Sequence, residues 1–217
     1  MSRIHGRLNM AATLTLALLW SSVHVSVDQD GGLSSAQVRL LISQMQEIWE
    51  DAGVAVTSGR YGDSRPGHAR ISLRVLRVSP PSNSIRVGPI LAWVAFEPTG
   101  RLAPQLLVSL PAITSLVSTA EFAGYPIRRL SRELRDELLA RAIGRAAAHE
   151  LGHYLLQRAG HQARGLMRAS YSASDLVGDW LQPFQVLPDD RPVVRSEIAA
   201  LARAQSASLD QRVGFRR

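Results

Sequence analysis

Apolar positions along the chain recur with two periods, and the switches between them mark out its elements. Alternation at Val23 to Val27 predicts a first strand. From Ser34 or Ser35, either able to cap, Val38, Leu41, Met45, Ile48 and Trp49 fall on one helical stripe, and Gly53 supplies a stop. Val54 to Thr57 predicts a second strand. Beyond the turn-rich Arg60 to Gly67, Ile71, Leu73 and Val75 alternate with Ser72, Arg74 and Leu76, as in a half-buried strand. Pro80 to Ser84 reads as a loop. Ile90 to Phe96 and Gln105 to Leu110 predict two more strands, joined at Pro98-Thr99-Gly100 in what reads as a hairpin. A long helix from about Ser131 to Arg158 turns Leu134, Leu138, Ala142, Ala146 and Leu151 towards the sheet. After Met167 the pattern predicts two short helices separated by Pro188 to Pro192. The fold class is α/β (α+β): a small mixed twisted sheet packed on an N-terminal helix and a long helix, with a short, mostly helical C-terminal part.

With 217 residues and 46% hydrophobic content, the chain can bury one full core. Ahead of the first strand, Arg3 and Arg7 precede the apolar run Leu8 to Trp20, the arrangement of a charged n-region and a short h-region. Residues 1–22 are therefore expected to be a signal peptide or N-terminal anchor, and 23–217 a single domain. The expected location is secreted or periplasmic, with membrane attachment only if that segment is not removed. Ser21-Ser22-Val23 offers small residues for cleavage but no Ala-x-Ala.

A net charge of +7 and a pI near 11.0 ordinarily raise nucleic acid as a partner. Here all 25 basic residues are arginine, scattered, and without interleaved aromatic stacking platforms. The densest group, Arg128, Arg129, Arg132 and Arg135, reads as a solvated helix face. No nucleic-acid partner is expected. The absence of cysteine excludes a disulfide framework, a thiol nucleophile and Cys-type structural zinc.

The chemistry concentrates at His149-Glu150-Leu151-Gly152-His153. Residues four apart share one helix face, so His149 and His153 can direct both imidazoles at one metal while Glu150 flanks the open position. Six His and eight Glu in a chain this long make an accidental HExxH a roughly half-percent event. Glu150 is the only charged residue from Ala146 to Leu156, and His161 brings a third imidazole within thirteen positions. A catalytic zinc takes three protein ligands and leaves its fourth position to water. The third ligand has three candidates: His161, Glu197 or Asp175. Glu197, after Ser196, and Asp175, after Ser174, also suit the first turn of a helix.

These residues, with Gly165-Leu166-Met167, resemble the metzincins, zinc peptidases with HExxHxxGxxH and a methionine turn beneath the metal. Small bacterial secreted proteins with HExGHxLL, a delayed His and GxMRA look similar over His149 to Leu156, His161 and Gly165 to Ala169. This chain departs at Leu156 and Ala159, where the pattern has Gly and His; its own glycine and histidine come two residues later, as Gly160-His161. The spacing resembles a variant whose helix runs about half a turn further before glycine reverses the chain. The resemblance implies a zincin-like fold, zinc held by His149, His153 and His161, and Glu150 as general base in peptide-bond hydrolysis. It also implies a substrate laid as an extra strand along a sheet edge, offered by one of the two hairpin strands.

The reading is thus a zinc-dependent endopeptidase, a monomer acting on peptide or protein substrates. The alternatives are a non-catalytic zinc-binding module on the same scaffold and a zinc amidase acting on cell-wall peptides. Tyr171, four positions past Met167, is a candidate oxyanion donor whose plainer role is packing. Tyr154 faces away from the metal on helical geometry and is assigned to packing.

Overall fold

The computed structural model describes residues 21–28, 32–59, 68–78 and 90–214. Five strands form one sheet: β1 (Ser21–Asp28), β2 (Val54–Ser58), β3 (Ala69–Leu76), β4 (Ala92–Phe96) and β5 (Leu102–Ser109), in the order β2-β1-β3-β5-β4. β1 runs parallel to β2 and β3, and β3 parallel to β5; only β4 is antiparallel, to β5. This is the mixed α/β architecture anticipated from the pattern. In β3 the alternation is complete, with Ala69, Ile71, Leu73 and Val75 buried and the residues between them half-buried.

The antiparallel edge comes from a tight turn. Glu97 N–H donates to the Arg101 carbonyl at 2.8 Å and Gly100 adopts φ +82°, a left-handed value that favours glycine. Pro98-Thr99-Gly100 therefore closes a hairpin, as anticipated, and leaves β4 at the border of the sheet.

Helix α1 (Ser35–Glu50) starts in a capping box: the Ser34 hydroxyl accepts from Gln37 N–H at 3.2 Å, and the Gln37 amide oxygen accepts from Ser34 N–H at 2.9 Å. Its stripe of Leu41, Met45, Ile48 and Trp49 is buried. Gly53, at φ +72°, then turns the chain into β2. Helix α3 (Arg132–Leu156) is capped by Ser131 and packs along α1, against β4 and β5, and against a C-terminal helix, α5 (Asp190–Gly214). From Leu138 to Leu155 nearly every residue of α3 is buried, because small Ala140, Ala142, Ala146, Ala147 and Ala148 let neighbours approach on all sides.

Several boundaries differ from the pattern-based expectation. Leu110, read as the end of a strand, begins helix α2 (Leu110–Val117), started by the Ser109 hydroxyl accepting from Ala112 N–H at 3.3 Å and by Pro111 in the first turn. A two-residue hairpin, β6 (Glu121–Phe122) with β7 (Tyr125–Pro126), precedes α3. After Met167 the tail holds two helices, as anticipated, α4 (Ala173–Val177) and α5 (Asp190–Gly214), but the second is long and begins at Asp190, inside the 188–192 segment expected to separate them. Pro192 lies in its first turn, where no intrahelical N–H bond is required. Far along α5, the Gln205 amide accepts from Arg70 N–H at 2.7 Å and donates to the Arg70 carbonyl at 3.1 Å, tying the helix to β3.

The 1–22 segment lies outside the described residues as far as residue 20, while Ser21 and Ser22 pair with Val54 and Ala55 in β1. The expected turn at 60–67 and loop at 80–84 also lie outside them. Among the described residues no helix is long and apolar enough to cross a membrane.

Helices α1 and α3 come close at Gly144, where a Cβ would stand 2.5 Å from the Leu41 carbonyl oxygen and 2.9 Å from Gln44 Cβ. Gly144→Ala is expected to force α1 and α3 apart, lowering stability by about 1–3 kcal/mol. A lowered urea midpoint with an unchanged m-value is the expected result; an unshifted midpoint refutes the close contact.

Candidate metal centre

His149 and His153 lie one turn apart on α3 with their Nε2 atoms 3.0 Å apart, and His161 Nε2 lies 3.3 Å from that of His153. One ligand atom from each of the three falls within 4.8 Å of the others, and no other such group of ligand-type side chains occurs among the described residues. The rings of His149 and His161 are 14° from parallel, while His153 stands at 86° to each.

The orientation of the two helical imidazoles is set from outside the helix. His149 Nδ1 lies 2.6 Å from the Leu166 carbonyl oxygen, and His153 Nδ1 lies 2.7 Å from that of Arg158. A carbonyl only accepts, so each Nδ1 carries the proton and each Nε2 presents a lone pair. Two such lone pairs, 3.0 Å apart, repel unless a cation lies between them. Ligands about 2.05 Å from a tetrahedral zinc stand roughly 3.3 Å from each other, so the spacing suits that ion. Burial pushes His149 down to about 3, with the neighbouring His153 imidazole adding, the Leu166 bond opposing, and His161 adding further. The imidazole is thus held neutral, the form that ligates a metal.

Met167 packs against the helix that carries His149 and His153. A Cβ at Gly152 would overlap the Met167 sulfur, so the glycine between the two histidines admits the thioether against the helix. Met167 follows a turn at Gly165, whose φ is +74° and whose neighbour Leu166 donates its N–H to the Gln185 carbonyl at 2.8 Å. The Leu166 carbonyl serves twice, accepting from both the His149 ring and the Tyr171 hydroxyl, the latter at 2.5 Å.

Tyr171 stacks on Phe184, with ring centroids 4.6 Å apart and planes 10° apart, and borders the cleft. Burial raises the pKa of its phenol, which keeps the proton that bonds to Leu166. In this arrangement its hydroxyl supports the Met167 turn. The cleft, about 180 Å³, is lined by Ile90, Leu91 and Ala92 on one side and by His149, Glu150, His161 and Arg168 on the other. Glu150 is 8% exposed, level with His149 and His153, and its place in that wall puts a carboxylate beside the imidazoles.

Asp175 and Glu197 do not join the histidines. The Asp175 carboxylate pairs with Arg168 and accepts from the backbone N–H and hydroxyl of Ser172, the cap of α4 in place of Ser174. Burial opposes its ionisation, but the Ser172 bonds and the Arg168 guanidinium together hold its pKa below the ordinary carboxylate range. Glu197 stands eight positions into α5, well past the first turn in which it was expected. Tyr154 is buried in the core, as anticipated.

One expectation about the loop fails. Helix α3 does not run on to a glycine reversal; it ends at Leu156, and Gln157 takes the left-handed conformation at φ 45°. Gly160 is not among the residues with positive φ. The two extra positions are accommodated in the loop, not in added helix. Arg168 was missed as part of the cleft, although it directly follows Met167. The two orienting carbonyls leave no mark on the sequence, because any residue carries one.

No family model matches the chain, and no curated protein sequence matches it. Among solved structures, a crystal structure of archaemetzincin from Methanopyrus kandleri is 12% identical, covers 82% of this chain and 96% of its own, and has a TM-score of 0.48. A zinc-dependent peptidase from Methanocorpusculum labreanum is 13% identical, covers 80% of this chain and 99% of its own, and scores 0.43. Scores at this level do not carry the chemistry, which stands on the residues above.

Because Gly152 and Met167 occupy one another's space, their substitutions should be coupled. Gly152→Ala alone is expected to lower stability by about 1–3 kcal/mol, and by much less once Met167→Ala has opened room. Equal costs in both backgrounds, from denaturant unfolding, refute that packing.

Proposed function

We propose that the chain is a zinc-dependent endopeptidase in which His149, His153 and His161 hold the metal and Glu150 is the general base. The observation that carries this reading is the convergence of three imidazole Nε2 atoms beside a buried carboxylate, on the wall of a cleft bordered by a sheet edge. Zinc bound there supplies Lewis acidity towards a water and towards a peptide carbonyl. Glu150, in the cleft wall with His149 and His161, would serve as the base towards water and as the acid towards the departing amine. His149 and His153, their Nδ1 protons committed to carbonyls, keep their Nε2 lone pairs aimed at the metal throughout.

β4 supplies the substrate's docking edge. Among the described residues it is the terminal strand of the sheet and its start borders the cleft, so one row of its main-chain groups is not taken up by another described strand, and an extended peptide can pair with it. Of the two hairpin strands, β5 lies inside the sheet and β4 takes this role. The chain works as an exported, secreted or periplasmic monomer. A purely structural zinc closes its coordination shell and has no use for a carboxylate beside it, which disfavours the non-catalytic module.

Purified protein should carry one zinc per chain by metal analysis, and His149→Ala and His153→Ala should lose it. Glu150→Gln should keep the zinc and lower kcat/KM on a peptide substrate by about 100-fold or more. Parent-level turnover in Glu150→Gln would remove Glu150 as the base, whereas zinc binding with no hydrolysis by the parent favours the non-catalytic module.

His161→Ala should weaken zinc binding strongly, while Glu197→Ala, altering a helix residue outside the histidine group, should leave it unchanged within about twofold. The reverse ranking in a chelator competition would transfer the third ligand to Glu197.

A further inference from the structure

His149 and His153 are carried by α3 and oriented by backbone carbonyls at their Nδ1 atoms, but His161 stands exposed on the segment that follows Gln157. A ligand on such a loop must be held by contacts of the loop itself. Two residues flanking His161 reach one acceptor: Arg158 Nη2 donates to Asp190 Oδ1 at 2.8 Å, and Gln162 Nε2 donates to Asp190 Oδ2 at 2.8 Å. Each carboxylate oxygen therefore engages one arm of the loop, and the carboxylate bridges both. A carboxylate accepts only, so the Gln162 amide must present its NH2.

The bridge is not a solvated surface pair. The Asp190 side chain is 9% exposed against 42% for Arg158, and a carboxylate that deep is retained with its acceptor capacity in use. The two arms also lead directly into the site. Arg158 donates its N–H to the His153 carbonyl at 3.2 Å and accepts the His153 Nδ1 proton on its own carbonyl at 2.7 Å. Gln162 N–H donates to the Met167 carbonyl at 2.7 Å. His161 lies between two residues that are both tied to Asp190.

We propose that Asp190 is a positioning residue for the third metal ligand: by bridging Arg158 and Gln162, its carboxylate holds His161 against the His149 and His153 pair. This rests on the metallopeptidase reading and deepens it. A chain with its third histidine two positions late needs a longer loop, and Asp190 is the brace that makes that loop present its imidazole. Asp190 also opens α5, where a negative charge favours the helix N-terminus. That second role acts on stability and does not depend on His161, so the two are separable.

The test is zinc affinity of the full chain, by chelator competition, for Asp190→Ala alone and combined with His161→Ala. Asp190→Ala is expected to weaken zinc by about 10- to 100-fold, and by less than about twofold once His161 is absent. Arg158→Ala and Gln162→Ala, each removing one arm of the bridge, should weaken zinc in the same His161-dependent way and carry the test if Asp190→Ala does not fold. Affinity unchanged by removal of Asp190 or of the two arms overturns the proposal, as does an equal loss with and without His161. A parent chain that binds no zinc overturns the metallopeptidase reading as well; a parent that binds zinc, with no His161-dependent loss in the variants, overturns this inference alone.

Discussion

Two buried imidazoles on one helix face each need an acceptor for the Nδ1 proton, and the helix cannot supply it because its own carbonyls are engaged four residues on. The acceptors come from the Arg158 carbonyl just past the helix end and from the Leu166 carbonyl at the turn before Met167. Much of the local structure follows from that requirement. The helix must stop at Leu156, so that Arg158 can swing back over His153, and the chain must return beneath the helix, so that Leu166 meets His149. Gln157 accepts a left-handed conformation to make the first possible, and Gly165 does so for the second. The strain at a non-glycine residue is offset by the buried hydrogen bond that it enables.

The scaffold around this site is built to let backbone come close. Glycine stands at two points of α3, Gly144 against α1 and Gly152 against Met167, where a single methyl group would meet an atom already in place. Between them runs a series of alanines, whose small side chains permit burial on every side. Buried Arg145 follows the same logic with a charge: its guanidinium donates to the Gln44 amide oxygen and the Asp175 carbonyl and lies 5.0 Å from the centre of the Phe184 ring. Burial pulls its pKa down to about 10, with Arg141 adding, and still leaves it charged at neutral pH. It joins α1, α3 and α4 one helical turn before His149.

What could be read in the sequence was what depends on local period. The α1 stripe, the alternation in β3, the hairpin at Pro98 to Gly100 and the i, i+4 histidines all express themselves within a few residues, and the structure places them accordingly. Helix α2 carried a legible signal in Ser109 and Pro111, a cap and a first-turn proline, masked by the apolar run before it. The start of the second tail helix was placed too late because Pro192 was taken as a breaker when it stands in the first turn of α5, where it is tolerated. The reversal after α3 was unreadable for another reason. Glycine was available at 160, but tertiary hydrogen bonds drew the left-handed conformation to Gln157, and no propensity predicts that outcome. Asp190 and the carbonyl acceptors lie in the same class, defined by contacts across the fold.

The three imidazoles are therefore unequal partners. His149 and His153 are each 8% exposed and each fixed at Nδ1 by a backbone carbonyl, so the protein itself sets the direction of both rings. His161 is exposed and reaches that centre from a loop whose order depends on side-chain bonds to α5. In the proposed metal site, two ligands already oriented in the core would concentrate the remaining entropy cost of metal capture in one segment. Because the third imidazole comes from the loop and not from the sheet, the cleft keeps the start of β4 in its lining together with Glu150, His149 and His161. A site closed on all sides by buried ligands would be tighter, but it would leave no room beside the carboxylate for a substrate.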